Sequence, residues 1–102
     1  MRFLARLTLR TTEEGGRRTP VTSGYRPNFD IGKRLADGQI SYHDAQVTVI
    51  GQDSIHPGET ADVILWSPEP SSWSQEVVGS TINACEGHQV IGQAQVLEVL
   101  SD

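Results

Sequence analysis

The stretch MRFLARLTLR, residues 1–10, alternates between apolar and polar side chains along nearly its whole length. The apolar residues of one side are Phe3, Ala5, Leu7 and Leu9. Arginine and threonine fall between them, and Leu4 is the one apolar residue on the polar side. Successive side chains of a β-strand point to opposite faces, so a period of two residues is typical of a strand that buries one face. The stretch therefore predicts a half-buried first strand.

Strand patterns recur along the chain at a spacing of roughly 8–12 residues, with turn residues between them. After the first strand they lie at residues 17–22, 28–31, 46–50, 60–66, 75–85 and 89–100. In the last of these the apolar positions change phase near Val96, which predicts a β-bulge or bend. Residues 32–38, GKRLADG, are the only plausible helical turn, and the segment is too short for a stable isolated helix. The pattern predicts an all-β fold, a closed antiparallel barrel of six to seven strands, in one domain over residues 1–102.

Charge is divided unevenly along the chain, whose net charge is −5. Residues 1–34 hold all eight lysine and arginine residues and three acidic ones, a net charge of +5. Residues 35–102 hold ten acidic residues and no basic one, a net charge of −10. Such a division can produce a two-faced surface. The alternative, that neighbouring strands mix the two signs, is favoured because charge blocks in sequence correspond poorly to barrel faces.

Several features favour a cytoplasmic protein that does not engage a membrane. Cys85 is the only cysteine, so no intrachain disulfide is possible, which fits a reducing compartment. The residues after Met1 enter the strand pattern directly, without the charged and apolar regions of a signal peptide. The longest apolar runs are only a few residues, whereas a membrane-spanning helix needs about 20.

The stretch GGRRTPVTSGYRPNF, residues 15–29, combines a glycine pair, an arginine and Thr-Pro with a later Gly-Tyr-Arg-Pro and an aromatic residue. These positions are Gly15, Gly16, Arg17, Thr19, Pro20, Gly24, Tyr25, Arg26, Pro27 and Phe29. The stretch resembles the opening hairpin of the third, C-terminal β-barrel domain of translation elongation factor Tu. Residues 57–66 and 86–100 are similar to that domain's Pro-Gly-Asp turn with its following strand and to its final hairpin. The resemblance spans essentially the whole chain.

The resemblance implies the barrel fold of that domain and a role in binding rather than in catalysis. In the family, the third domain contacts aminoacyl-tRNA, the GTPase domain and protein partners. This chain has Arg18 where the family has histidine, and residues 85–89 lack the two basic residues of the family's last hairpin. Because these departures fall where RNA contact is expected, we expect a protein partner.

Arg17, Arg18 and Arg26, with Tyr25 as a stacking platform, are candidates for contact with RNA phosphates. Thr19 belongs to the same motif and is a further candidate for partner binding. The alternative is a structural hairpin in which Arg26 pairs with an acidic neighbour. Phosphate binding gains its affinity by neutralising many charges, so three arginines on an acidic chain favour at most weak RNA binding.

Trp66 and Trp73 flank a predicted loop at residues 68–74 that contains two prolines. Aromatic side chains beside an exposed proline-rich loop can anchor a partner protein. Tryptophan can equally cap the end of a barrel, because it is common in both settings. The sequence leaves both interpretations open.

The sequence shows no recognisable catalytic or metal-binding pattern. The spacings of His43, His56 and His88 match no short metal motif. Cys85, inside a predicted strand, is more typical of a small core residue than of a nucleophile. There is also no glycine-rich phosphate loop with its lysine. We therefore expect a monomeric, non-enzymatic domain without cofactor or nucleotide that binds a protein, with weak tRNA binding as the alternative.

Overall fold

The computed structural model describes residues 1–68, 73 and 77–101, and for Ser101 the backbone alone. Within these residues the chain forms nine β-strands and no α-helix. The described part of the chain thus contains no helix that is long and apolar enough to cross a membrane. The strands are β1 (Arg2–Leu9), β2 (Val21–Thr22), β3 (Asn28–Arg34), β4 (Ile40–Asp44), β5 (Gln46–Val49), β6 (Ser54–Ile55), β7 (Thr60–Trp66), β8 (Thr81–Glu86) and β9 (Gln89–Ser101). The all-β prediction is confirmed.

Seven strands form one antiparallel sheet in the order β4-β3-β8-β9-β1-β7-β5, while β2 and β6 pair separately. β1 lies inside the sheet, between β7 and β9. Its predicted alternation is confirmed, because Phe3, Ala5, Leu7 and Leu9 are all buried. Inward side chains of the other strands complete one hydrophobic core around these four residues.

The predicted closure into a barrel is not found, because the sheet order runs from β4 to β5 without a ladder that closes it. These two edge strands are consecutive in the chain and are separated only by Ala45. The segment before β3 runs beside them: Val47 N–H donates to Tyr25 O at 2.7 Å, and Ala45 N–H donates to Pro27 O at 3.4 Å. Hydrogen bonds from the segment before β3 to Ala45 and Val47, rather than a strand ladder, therefore connect the β3 side of the sheet to β5.

A proline explains where the sheet opens. The ladder between β5 and β7 ends at the pair Gln46 and Trp66. If this ladder continued in the same register, its next hydrogen-bonded pair would be Asp44 and Pro68. Proline has no N–H to donate, so it is excluded from the inside of a ladder. β4 therefore continues from β5 without β7 beside it.

The prediction of a helical turn at residues 32–38 is wrong. β3 continues to Arg34, and a tight turn leads into β4, with Gly38 N–H donating to Leu35 O at 2.9 Å. Gly38 has a φ of 89°, which glycine adopts without steric cost. β4, ISYHD, was not predicted; all five of its residues are partly buried, so it has no core-facing side like that of β1.

The predictions near the C-terminal strands are largely correct. The register between β1 and β9 shifts between the pairs Leu4–Glu98 and Ala5–Val96, which confirms the bulge near Val96. β8 begins only at Thr81, after a turn, and the earlier residues 75 and 76 lie outside the described residues.

The predicted strand at residues 17–22 is reduced to β2. Of the predicted loop at 68–74, only residues 68 and 73 are described.

Gly92 lies where β9 approaches β1 too closely for a side chain. A Cβ atom there would lie 2.6 Å from Thr8 O and 3.2 Å from Leu9 Cα. We predict that Gly92→Ala lowers the free energy of unfolding by about 1–3 kcal/mol, because the backbone of β1 has to shift. Urea denaturation followed by tryptophan fluorescence measures this change.

The matched control for this variant is Gln95→Ala, which removes an exposed side chain from the same strand. It is expected to change the free energy of unfolding by less than about 0.5 kcal/mol. Equal losses in the two variants would contradict the close-approach argument.

Candidate functional site

Arg17, Thr19 and Tyr25 come together around the carboxylate of Glu86, the last residue of β8. Glu86 Oε2 accepts a hydrogen bond of 2.6 Å from the Tyr25 hydroxyl and forms an ion pair with Arg17. The Arg17 guanidinium also donates to the Thr19 carbonyl at 3.3 Å and hydroxyl at 3.0 Å. It lies 4.5 Å from the centre of the Tyr25 ring. These four residues, named the tyrosine cluster, satisfy one another.

The tyrosine cluster keeps the Tyr25 hydroxyl protonated. Burial raises the pKa of Tyr25, and the hydrogen bond to Glu86 and its negative charge raise it further. The positive charge of Arg17 acts in the opposite direction but does not outweigh these effects. The hydroxyl therefore stays a donor at neutral pH and ties the segment before β3 to the β8–β9 hairpin.

Trp66 lies at the end of β7 with 39% of its surface exposed. The Arg26 guanidinium is 5.8 Å from the centre of the indole ring. Arg26 Nε also donates to Asp44 Oδ2 at 2.6 Å. Attraction between a cation and an exposed indole ring is worth about 0.5–1 kcal/mol. Both members of the ion pair are exposed, so it adds little to stability, but it holds Arg26 beside the ring.

Leu4 and Ile64 extend this surface along the sheet. They are directly opposite each other in the β1–β7 ladder, two positions from the pair Arg2 and Trp66, so they share the outer face with Trp66. Both side chains are half-buried. The surface formed by Leu4, Arg26, Ile64 and Trp66 is named the tryptophan face.

Trp73 does not contribute to any exposed surface. Its side chain is fully buried against Phe3 and Phe29, with ring centres 5.6 and 5.5 Å away. Of the two interpretations that the sequence left open, packing fits Trp73 and exposure fits Trp66. The candidate partner-binding residue Trp73 is thus placed in the core.

The division of charge along the sequence does not lead to a basic surface around the candidate arginines. Three arginines of the first 34 residues pair with acidic residues of the rest: Arg6 with Asp62, Arg17 with Glu86 and Arg26 with Asp44. The sheet order explains the first of these pairs, because it places β1 beside β7. Arg18 is exposed and forms no ion pair with the part of the chain that the structure describes.

The residues with catalytic or metal-binding chemistry lie apart. The described part of the chain contains no group of three or more His, Cys, Asp or Glu residues placed to hold a metal ion. His56 contacts Glu59 within a turn, and His88 contacts Tyr42. Burial raises the pKa of the Cys85 thiol, whereas a nucleophilic cysteine needs a lowered pKa.

Sequence reasoning did not identify the members of these surfaces that come from elsewhere in the chain. Asp44 and Glu86 are distant in sequence from the arginines that they bind. Leu4 and Ile64 did carry a signal, because each is an apolar residue on the polar side of an alternating strand. An apolar residue at such a position favours an outward-facing contact surface.

The chain matches no family in a scan against models of known protein families. The resemblance to the third domain of elongation factor Tu therefore stays a prediction.

The tyrosine cluster leads to a prediction about stability and pH. We predict that Tyr25→Phe lowers the free energy of unfolding by about 0.5–1.5 kcal/mol at neutral pH, because Glu86 loses a hydrogen bond. A pKa that is raised in the folded state means that stability is lost as pH rises above the unfolded value of about 10. The difference between wild type and variant should therefore shrink at alkaline pH.

Urea titrations at neutral pH and above pH ~10 measure both effects, since that is where unfolded tyrosine ionises. The control is Tyr42→Phe, which removes a hydroxyl from an exposed contact with His88. It is expected to change stability by less than about 0.5 kcal/mol. A difference for Tyr25→Phe that stays constant with pH would refute the role assigned to the Glu86 hydrogen bond.

Proposed function

We propose that the chain is a non-enzymatic protein-interaction domain that binds its partner through the tryptophan face. The observation that carries this proposal is the exposed Trp66, with Arg26 held beside its ring by Asp44. Tryptophan and arginine are enriched among the residues that contribute most to the energy of protein interfaces. The half-buried Leu4 and Ile64 add apolar surface next to the indole.

The tryptophan face is supported by rigid structure. Trp66 belongs to a strand that is paired on both sides, with Arg2 of β1 and Gln46 of β5. Arg26 is oriented by its ion pair. A surface that is already ordered loses less conformational entropy when it binds. This favours a specific contact with a protein over a loosely adaptable surface.

We further propose that the domain is related to the third β-barrel domain of elongation factor Tu. The motif at residues 15–29, which includes Arg17 and Tyr25, is the feature that supports the relationship. The relationship predicts partners among the proteins that contact the translation factor.

Weak binding of tRNA is the second candidate function, and the exposed Arg18 is the observation in its favour. Arg17 and Arg26 are paired with carboxylates, so RNA phosphates would have to displace Glu86 and Asp44. The net charge of −5 also repels a polyanion. The geometry therefore favours the protein partner.

The protein-interaction proposal is tested with the immobilised chain and a native lysate of the source cells. We predict that Trp66→Ala weakens binding of the recovered partner by at least about 30-fold, the loss typical of an interface hot spot. Quantitative pull-down with the purified partner measures the affinity. Arg26→Ala should also lower the affinity for this partner.

The control for Trp66→Ala is Leu35→Ala, which truncates another exposed apolar side chain, at the turn between β3 and β4. This variant should retain the partner. Equal affinity of the partner for Trp66→Ala and for the wild type would count against the tryptophan face as the binding surface.

The tRNA alternative is tested by fluorescence anisotropy with labelled tRNA at low and high salt. We predict no binding at low salt, because Arg17 and Arg26 are already neutralised by carboxylates. A salt-sensitive complex that is lost in the double variant Arg17→Ala, Arg18→Ala but kept in Arg6→Ala would establish RNA binding instead.

A further inference from the structure

The edge strand β4 differs from its continuation β5 in what lies beside it. Residues 40–49 form one extended run that is interrupted only at Ala45. Its second half lies between β7 and the segment before β3. Its first half, β4, has β3 on one side and no described strand on the other. The same run is thus an interior strand at one end and an open edge at the other.

The backbone groups of this run alternate in direction. Val47 N–H donates to Tyr25 O, on the β3 side, at 2.7 Å. Ile50 N–H donates to Asp62 O, on the β7 side, at 3.0 Å. In an extended strand, alternate residues direct their N–H and C=O groups to opposite edges. Odd-numbered residues of the run therefore face β3, and even-numbered residues face the line of β7.

Tyr42 and Asp44 are even-numbered, so their N–H and C=O groups point to the open edge. β7 does not continue beside them, because in its register with β5 the residue opposite Asp44 is Pro68. Proline has no N–H to donate to the Asp44 carbonyl group. Among residues 1–68, 73 and 77–101, no strand pairs with these backbone groups, and such an edge is a template for a strand from another chain.

We propose that the edge of β4 takes up an extended peptide of a partner protein as an added strand, in line with β7. The proposal rests on the protein-interaction function argued above and specifies how the partner is held. Main-chain hydrogen bonds supply affinity in this mode, and pockets for alternate side chains supply specificity. The peptide is an uncharged segment with apolar residues at alternate positions.

Two apolar features at the ends of the edge indicate these alternate positions. A cavity of about 280 Å³ lies beside Ile40, Tyr42 and His88, where the rings of Tyr42 and His88 are 5.6 Å apart. At the other end, Trp66 lies where β7 stops, next to Arg26, which pairs with Asp44. Side chains on one face of an added strand recur every second residue, so one strand reaches both features.

The charges beside the edge favour an uncharged peptide. Asp44 of β4 is paired with Arg26 at 2.6 Å, and Asp30 of β3 is paired with Arg34 at 3.1 Å. These are the only two carboxylates on the two strands. Both carboxylates already have a cationic partner, so a basic peptide gains little there, and the net charge of −5 disfavours an acidic one.

The experiment uses the full chain and a phage-displayed library of random heptapeptides, and then a synthetic peptide of the most enriched sequence. We expect enriched sequences with alternating apolar residues and without central proline. In hydrogen exchange followed by NMR, the peptide should slow exchange of the Tyr42 and Asp44 amides at least about tenfold, because they gain acceptors. The Val47 amide, already bonded at 2.7 Å, should not change.

A matched pair of variants locates the peptide. Tyr42→Lys places a charge on the open edge and should lower the affinity for the peptide at least about tenfold. Thr48→Lys places the same charge on an exposed position of the same run, where β7 is already paired. This variant should weaken binding of the peptide less than about twofold, because Thr48 is already paired with Ile64 of β7 and offers no open edge.

The outcomes separate this mode from the interaction function itself. No enriched peptide, or a peptide that leaves the Tyr42 and Asp44 amides unprotected, overturns strand addition. A peptide that protects neither amide but loses affinity in Trp66→Ala leaves the tryptophan face as a binding surface and refutes the added strand. Protection of both amides by self-association, without peptide, assigns the edge to a second copy and also overturns the proposal.

Discussion

The antiparallel pairing of β1 with β7 on one side and β9 on the other is the interaction on which most of the structure depends. It places four alternate side chains of β1 in the core, where Phe3 contacts the fully buried Trp73. It requires a glycine at position 92, because β9 passes the backbone of Thr8 too closely for a Cβ atom. It also brings Arg6 beside Asp62, so that the two halves of the charge distribution meet across a ladder. One arrangement thus builds the core and mixes the charges.

Both candidate surfaces depend on where that sheet ends. The ladder of β7 with β5 stops at Trp66, because Pro68 has no N–H for the next pair. At that point the indole emerges on the outer face beside Arg26 and Asp44, and the edge of β4 begins. The exposed aromatic side chain and the open backbone edge are therefore neighbours for a single physical reason. A partner that contacts one is in a position to use the other.

Two arginines of the same motif show how strongly context decides a role. Arg17 is held by Glu86 and Thr19 against the Tyr25 ring, and its donors are used within the fold. Arg26, nine positions later, lies on the outer face beside an exposed indole. The sequence presents both as equivalent candidates for contact with phosphate. Only the positions of their carboxylate partners, 69 and 18 residues away, distinguish an anchor from a surface group.

The sequence by itself determined the all-β class, the buried face of β1, the bounds of β7 and the bulge near Val96, because these depend on the period of side chains along one strand. It misassigned residues 32–38 and missed β4, an edge strand whose five residues are all partly buried and which therefore has no core-facing side. Only the tertiary structure decided that Trp66 is exposed while Trp73 is buried, and that the sheet stays open at β4. These outcomes depend on which strands lie side by side, and the local period of one strand does not contain that information.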